Sequence, residues 1–292
     1  MASHSKNQSS NQRPRLFKKS REPSKWPNYL VVSIMTAFAL APIIILFFNS
    51  LKGTAEIGLN PLGYPRTLVF ENYPNAWEQG GFANTMGNSA FLVVATVFLQ
   101  LTLSGLAAFA LARLNPPGGN AFMIVMLVGT TIPIWLYIVP LFVLWRSLGL
   151  LNNLFGLVLI YTAGGAPFAI FLLRSFMLKI HPDFEDAARI DGANELQVFW
   201  NVIIPLAWPG FLTVGLVTAL GTWSEYQMAL IFITDPELFP ITTSYSAFVG
   251  RFTRDWGLTS AAAVMMIAPL LIIFLSLQRQ FIEGLTAGGV KS

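Results

Sequence analysis

Six stretches of this 292-residue chain run without a single Asp, Glu, Lys or Arg: Trp26 to Leu51, Gln79 to Ala112, Leu114 to Trp145, Ser147 to Leu173, Leu196 to Ser224 and Trp256 to Gln278. A helix crossing about 30 Å of hydrocarbon needs roughly 20 apolar residues, so each stretch accommodates one crossing and none accommodates two. Backbone groups left unpaired in lipid are not tolerated, which makes the crossings helical. The expected helices lie near residues 28 to 48, 85 to 112, 121 to 144, 154 to 174, 207 to 232 and 260 to 281. Composition agrees: 54% of the residues are hydrophobic and only 11% charged, against about 25% charged in a soluble domain. The expected fold class is an all-α integral membrane protein with six transmembrane helices.

Lys and Arg orient it. With the N-terminus in the cytoplasm, 13 of the 18 basic residues fall on the inner side and 5, Lys52, Arg66, Arg146, Arg251 and Arg254, on the outer side. That asymmetry places both termini in the cytoplasm of a multi-pass plasma-membrane protein. The net charge of +4 thus needs no nucleic acid to explain it. Residues 1–26 read as a disordered basic tail beside anionic lipid. The apolar run that follows is longer than the roughly 7–15 residues of a signal-peptide core and has no small-x-small cleavage site after it, so it is expected to stay as the first span. Cysteine is absent, and His4 and His181 have no companion ligands at metal spacing, so no metal site is expected.

Two segments at the outer ends of the spans are broken by turn residues. Asn49 to Asn84 is too short for a domain. In Thr234 to Thr259, Phe248, Phe252 and Trp256 recur at i, i+4, i+8, the spacing of one helical face. This reads either as an interfacial helix or as a partner contact.

The inner segment EDAARIDGANELQVFWNVIIPLAWP, residues 185 to 209, is polar and charge-dense between apolar runs. Asp183 and Asp186 can cap a short helix carrying Ala187, Ala188 and Ile190, and Gly192 can end it with a positive φ. Asn194 and Gln197 repeat the capping signal, after which Leu196, Phe199, Trp200 and Ile203 form an apolar stripe. A helix, a tight turn and a second helix result. Two small alanines would let a partner groove close on the backbone, and Glu185, Asp186 and Asp191 offer carboxylates to partner cations. An ordinary connecting loop with solvated acids is the plain alternative.

The loop resembles the signature loop of permease subunits of ATP-driven (ABC) importers: Glu-Ala-Ala, three residues, Gly, nine residues, Ile, one residue, Leu-Pro. Here it stands as Asp186, Ala187, Ala188, Gly192, Val202, Ile204 and Pro205, with spacing met throughout. Leu148 to Asn152, Ala166-Pro167-Phe168, Leu172 to Phe176, Asp191-Gly192-Ala193 and Phe199-Trp200 are similar to the carbohydrate branch, specifically the second, smaller permease of maltose-type importers. The likeness runs from about residue 27 to the end.

The resemblance implies a type I importer permease fold over residues 27–282 with a coupling loop at 181–206, and inward sugar transport, the sugar an oligosaccharide. It implies a paired permease of similar fold, a dimer of ATPase subunits and an extracytoplasmic solute-binding protein as partners. It implies no catalysis and no cofactor on this chain, ATP and Mg²⁺ being held by the ATPase. Glu185, Asp186, Ala187, Ala188, Asp191 and Gly192 would make the ATPase contact, with the choice between Glu185 and Asp186 as the arginine partner left open.

Residues 283–292 are glycine-rich, are not expected to continue the last helix, and resemble the tail that this branch inserts between its ATPases, through Thr286, Gly288 and Gly289. Their partial likeness to a phosphate-binding loop fails because Val290 separates Gly289 from Lys291 and no strand precedes. Within the spans one acid stands clear of the ends, Glu225. An intramembrane carboxylate faces a partner or a watery cavity, so Glu225, with Trp223 and Tyr226, is the candidate for the translocation path, a helix-steadying or intersubunit role being the other reading. Pro133 and Pro140 in the third span can kink it. A permease for another solute of the same class, a secondary transporter and a membrane enzyme are the alternatives. The last two would require more intramembrane charges or a convergent acid-base set.

Overall fold

A computed structural model describes residues 26–289, with side chains to residue 279. The tail expected at 1–26 and the final residues 290–292 therefore lie outside the described residues, apart from Trp26. The chain divides into two compact units, Met1–Ile44 and Ile45–Ser292. The described part of the first is the helix α1 (Trp26–Ser50) up to Ile44, exposed at every position. A helix that is apolar all round is stable in this state in lipid.

The second unit begins with the end of α1, then α2 (Thr54–Leu59) and α3 (Asn72–Gln79), short helices on the loop between the first two spans. Lys52 is fully buried there, its ammonium donating to Asn49 Oδ1 (3.0 Å) and to the Asn60 carbonyl (2.8 Å). The long helix α4 (Phe82–Phe109), extended by a π-turn at Ala110–Leu114, packs most extensively on α7 (Leu154–Met177). Ser89, Thr96, Gln100, Ser104 and Ala108 fall four or seven residues apart, one or two turns, and are all buried. In lipid, where apolar contact is no advantage over the solvent, small and weakly polar residues on one face let two backbones approach closely.

Between them the third expected span is not one helix. α5 (Gly119–Thr131) and α6 (Ile134–Ser147) meet at a bend of 103°. Pro133 disfavours helical backbone at the preceding residue, and Ile132 is accordingly extended, at φ −82° and ψ 114°. At 1.5 Å per residue each half measures about 20 Å, short of the hydrocarbon thickness.

After α7 come α8 (Asp183–Ile190), α9 (Glu195–Val198), a π-turn at Phe199–Ile203, and α10 (Ile204–Leu206), which meets α11 (Trp208–Ser224) at 81° across Ala207, between Pro205 and Pro209. The expected helix over 207 to 232 is interrupted as well. Glu225 is extended (φ −67°, ψ 134°), and α12 (Gln227–Phe232) starts anew. α13 (Ile241–Arg251) follows a one-turn 3₁₀ segment at Pro236–Leu238. Phe248 is buried on α13, Phe252 lies just past its end and Trp256 opens α14 (Trp256–Gly289), so the three aromatics do not share one helical face.

α14 also departs from expectation, because it runs through Gly284, Gly288 and Gly289. Each glycine costs up to about 1 kcal/mol in a helix, but an already formed span extends by propagation, without a new nucleus. Four helices among the described residues are long and apolar enough to cross a membrane, and six spans result when each bent pair counts as one. The six crossings expected from the sequence are thus accommodated by length and composition, with two of them bent. The largest buried cluster, around Phe109, Leu173, Met177, Phe199 and Phe211, sits beside α8 and α9 and anchors the loop that projects there.

Candidate functional site: the α8–α9 loop and the break at Glu225

α8 starts after Pro182, which holds the N-cap position. Asp183 therefore lies in the first turn and does not cap through its side chain, contrary to expectation. Asp183, Glu185 and Asp186 instead place three carboxylates at the positive end of the helix dipole. Gly192 has φ +90° with nothing within 4 Å of where a Cβ would stand, so the backbone conformation alone demands glycine. Asn194 then opens α9 with a reciprocal capping box: its side chain accepts from Gln197 N (3.0 Å) and Gln197 Oε1 accepts from Asn194 N (2.8 Å). A π-turn follows at Phe199–Ile203, and only part of the expected stripe is covered. Phe199 and Ile203 are buried, whereas Leu196 and Trp200 are exposed.

The acids of α8 separate by environment. Glu185 is 2% exposed and forms an ion pair with Arg113, which reaches it from the π-turn after α4; a second, longer contact runs to Arg189 Nη2 at 3.4 Å. Arg113 also donates through Nη2 to the carbonyls of Met177 (2.7 Å) and Ile180 (2.6 Å), capping the C-terminus of α7. One guanidinium thus ties α4, α7 and α8 together. A cation at a helix C-terminus is favourable in its own right, and a buried carboxylate requires a partner of this kind. Arg174 adds a parallel tie by donating to the Leu111 carbonyl (3.2 Å).

Asp186 is 64% exposed, with one contact to Arg189 Nη1 (3.1 Å). Arg189 crosses the Gly192 turn and grips Glu195 on α9 with two bonds, Nε to Oε1 (2.9 Å) and Nη2 to Oε2 (3.1 Å). That bond holds the Glu195 carboxyl below the usual carboxylate range and raises the Arg189 guanidinium further above its ordinary value. Ala187 and Asp191 are exposed and Ala188 is half-buried. The outer surface of the loop also presents Phe184, Ile190 and Leu196, at 56%, 86% and 61% exposure. The result is a protrusion braced from within by Arg113 and Arg189, with an apolar tip and with Asp183, Asp186 and Asp191 as accessible acids.

Sequence reasoning did not single out Arg113. Its available signal was isolation: it is the one charge between Glu78 and Arg146.

At the break between α11 and α12, Glu225 is fully engaged. Its Oε1 accepts from Met228 N (2.7 Å) and its Oε2 from Ala229 N (3.2 Å) and from the Tyr161 hydroxyl of α7 (2.6 Å). Its own carbonyl accepts from Thr242 Oγ1 (2.6 Å). The carboxylate therefore caps α12 and fastens the break to α7. A cleft of about 320 Å³ opens beside it, lined by Tyr161, Gly164, Phe168, Thr218, Thr222, Glu225 and Gln227 among others. Trp223 and Tyr226 do not line it. The Trp223 indole is buried and donates to the Met266 carbonyl on α14 (3.0 Å), while the Tyr226 hydroxyl meets Ser246 Oγ (3.1 Å). Of the three candidates for the translocation path, the geometry brings only Glu225 to the cleft. Of the tail candidates, Thr286, Gly288 and Gly289 lie on α14, beyond the described side chains.

Comparison with known proteins places this geometry. Residues 100–286 match the family described as binding-protein-dependent transport system inner membrane component. The chain is 32% identical to a diacetylchitobiose uptake system permease of Streptomyces coelicolor, over 89% of this chain and 87% of that one. It is 30% identical to a melibiose/raffinose/stachyose import permease of Bacillus subtilis, over 90% and 95%. Among solved structures, a chain of a bacterial ABC transporter involved in the import of the polysaccharide alginate superimposes with a TM-score of 0.78 at 28% identity, covering 88% of this chain and 95% of that one. The matched segment contains the α8–α9 loop, the end of α4 and every span after the second, and the similarity to full-length relatives extends over nearly the whole chain. This chain accordingly belongs to the family of inner-membrane components of binding-protein-dependent transport systems, and is a multi-pass transport permease.

Proposed function

We propose that this chain is one permease subunit of an ATP-driven importer that carries a sugar, specifically an oligosaccharide, inward across the plasma membrane. The observation that carries the reading is the α8–α9 protrusion, a loop stiffened from within by Arg113 and Arg189 and left apolar at its tip. Such a surface fits a groove on an ATPase subunit, with Phe184, Ile190 and Ala187 in the groove and Asp186 meeting a partner arginine. Glu185 is already committed to Arg113, so the choice between the two acids falls on Asp186. The remaining partners are a second permease of similar fold, a second ATPase copy and an extracytoplasmic solute-binding protein. Both termini lie in the cytoplasm, and Thr286, Gly288 and Gly289 on the end of α14 add a further ATPase contact. ATP and Mg²⁺ belong to the ATPase, and this chain performs no chemistry.

The sugar assignment draws support from the named relatives and from the cleft beside Glu225, where Tyr161 and Phe168 offer aromatic faces and Thr218, Thr222 and Gln227 offer hydrogen-bonding groups. A secondary transporter is disfavoured because both carboxylate oxygens of Glu225 are occupied by protein donors. The test is purification of the assembled complex with and without the ATPase, followed by sugar-stimulated ATP hydrolysis and uptake in vesicles. Asp186→Ala is expected to weaken ATPase association by roughly tenfold, the effect of losing one charge-assisted contact of 1.5 kcal/mol or more. Uptake by this chain without an ATPase would overturn the reading.

A further inference from the structure

α7 carries Pro167 in its interior. Proline supplies no N–H and its ring presses on the carbonyl four residues earlier, so a helix bends there and loses a rung. The carbonyl deprived of its donor is that of Ala163, which leaves the neighbouring rung, Thr162 to Ala166, at the edge of the break. Directly opposite, α4 presents Gln100, with 0% of its surface exposed. With its amide turned so that both ends are satisfied, Nε2 donates to the Thr162 carbonyl at 2.9 Å, and Oε1 accepts from Ala166 N at 3.2 Å and from Ser104 Oγ at 2.7 Å. Thr162 and Ala166 are i and i+4, the two ends of one helical rung, and that rung is the last before the proline. The approach depends on Gly165, where a Cβ would come within 2.8 Å of the Gln100 amide. The same two turns of α7 supply Tyr161, Gly164, Gly165 and Phe168 to the cleft beside Glu225.

We propose that Gln100 is a positioning residue: its amide bridges the α7 rung ahead of Pro167, sets the bend of that span, and so places Tyr161 and Phe168 in the wall of the cleft. A leucine would fill the space and could not bridge. The carbonyl and N–H would then have to reach each other without help, and α7 would change its bend. Removal of Pro167 takes away the need for the bridge, so the two residues are energetically coupled.

The inference rests on the permease reading only for its transport consequence, and its test does not use uptake as the deciding measurement. The chain contains no cysteine, so Thr218→Cys in the full assembled complex, in membranes, reports the cleft through its rate of maleimide labelling. Gln100→Leu and Gly165→Ala are each expected to change that rate by about fivefold, the scale of one interhelical side-chain bond in a membrane protein. In the Pro167→Ala background, Gln100→Leu is expected to change it by less than about twofold. Unchanged labelling in both single variants overturns the proposal, as does an undiminished effect of Gln100→Leu once Pro167 is gone. If Gln100→Leu does not assemble, Gly165→Ala, which adds one methyl group, decides alone. Altered labelling with no sugar uptake by the parent complex would remove the transport reading and leave the positioning role standing.

Discussion

At the scale of single residues, the end of the molecule that carries the α8–α9 loop depends on Arg113. It satisfies the carbonyls of Met177, at the end of α7, and Ile180, in the turn after it, together with the buried Glu185 carboxylate. Arg113→Ala is expected to lower stability by about 3–5 kcal/mol, because it leaves a carboxylate buried without a cation. Thermal unfolding of the purified complex measures this, and Arg113→Ala/Glu185→Leu is expected to recover a large part of the loss. A second residue-level outcome concerns pH. The folded-state value for Glu195 is depressed by Arg189, so the clasp across Gly192 contributes fully above the ordinary carboxylate range and is lost as pH falls through the lowered folded value. Proteolytic nicking of the α8–α9 loop is expected to rise only in that acidic window in wild type. In Glu195→Gln it is expected to be raised already at neutral pH. The Arg113–Glu185 pair was not legible in the sequence, since nothing in periodicity or spacing links two charges on opposite sides of two spans. The capping box of Asn194 and Gln197 was legible, because both partners lie within one turn.

At the scale of elements, charge-free runs located the spans but not their bends. Hydropathy averages over a window and is blind to backbone direction, so the 103° bend at Pro133 and the break at Glu225 were invisible to it. Pro133 at least signalled a kink. Glu225 was noticed as an intramembrane acid, and its capping of α12 shows what holds the broken end in place. Glu225→Gln retains one acceptor and is expected to keep α12 capped. Glu225→Leu is expected to cost about 1–3 kcal/mol by leaving two amides and the Tyr161 hydroxyl without an acceptor; amide exchange at Met228 and Ala229 reads the difference. The expected stripe was half legible, since Phe199 and Ile203 meet the buried cluster whereas Leu196 and Trp200, farther round the helix, stay exposed. On the protrusion, Gly192→Val must hold a β-branched residue at φ +90°. Strain of about 1–3 kcal/mol is expected there, seen as loss of ATPase association with membrane insertion unchanged.

At the scale of the whole molecule, orientation is the quantity that charge asymmetry predicts and helix geometry leaves free. In a chain without native cysteine, Asp186→Cys is expected to react with a membrane-impermeant maleimide only when the cytoplasmic side is opened, and Glu71→Cys from the outside of intact cells. The reverse pattern would invert the topology and with it the placing of both partner surfaces. The six-span count, the family and the projecting loop were legible because each rests on local composition or on a short motif. The π-bulged ends, the buried seam of α4 and the cleft were not, because they arise from how spans far apart in sequence pack.

The triple tie made by Arg113 also orders events during synthesis. Its guanidinium emerges with the end of the second span, while its carboxylate partner is translated only after the fourth span has been threaded into the bilayer. Until then the charge waits, hydrated, at the membrane surface, and the Met177 and Ile180 carbonyls it will meet do not exist. Closure of the α8 pocket is therefore a late event that succeeds only if every intervening segment has been inserted in the right direction. A chain with a skipped or inverted span leaves Glu185 across the membrane from Arg113, so the buried pair cannot close and α8 is left without the contact that holds it.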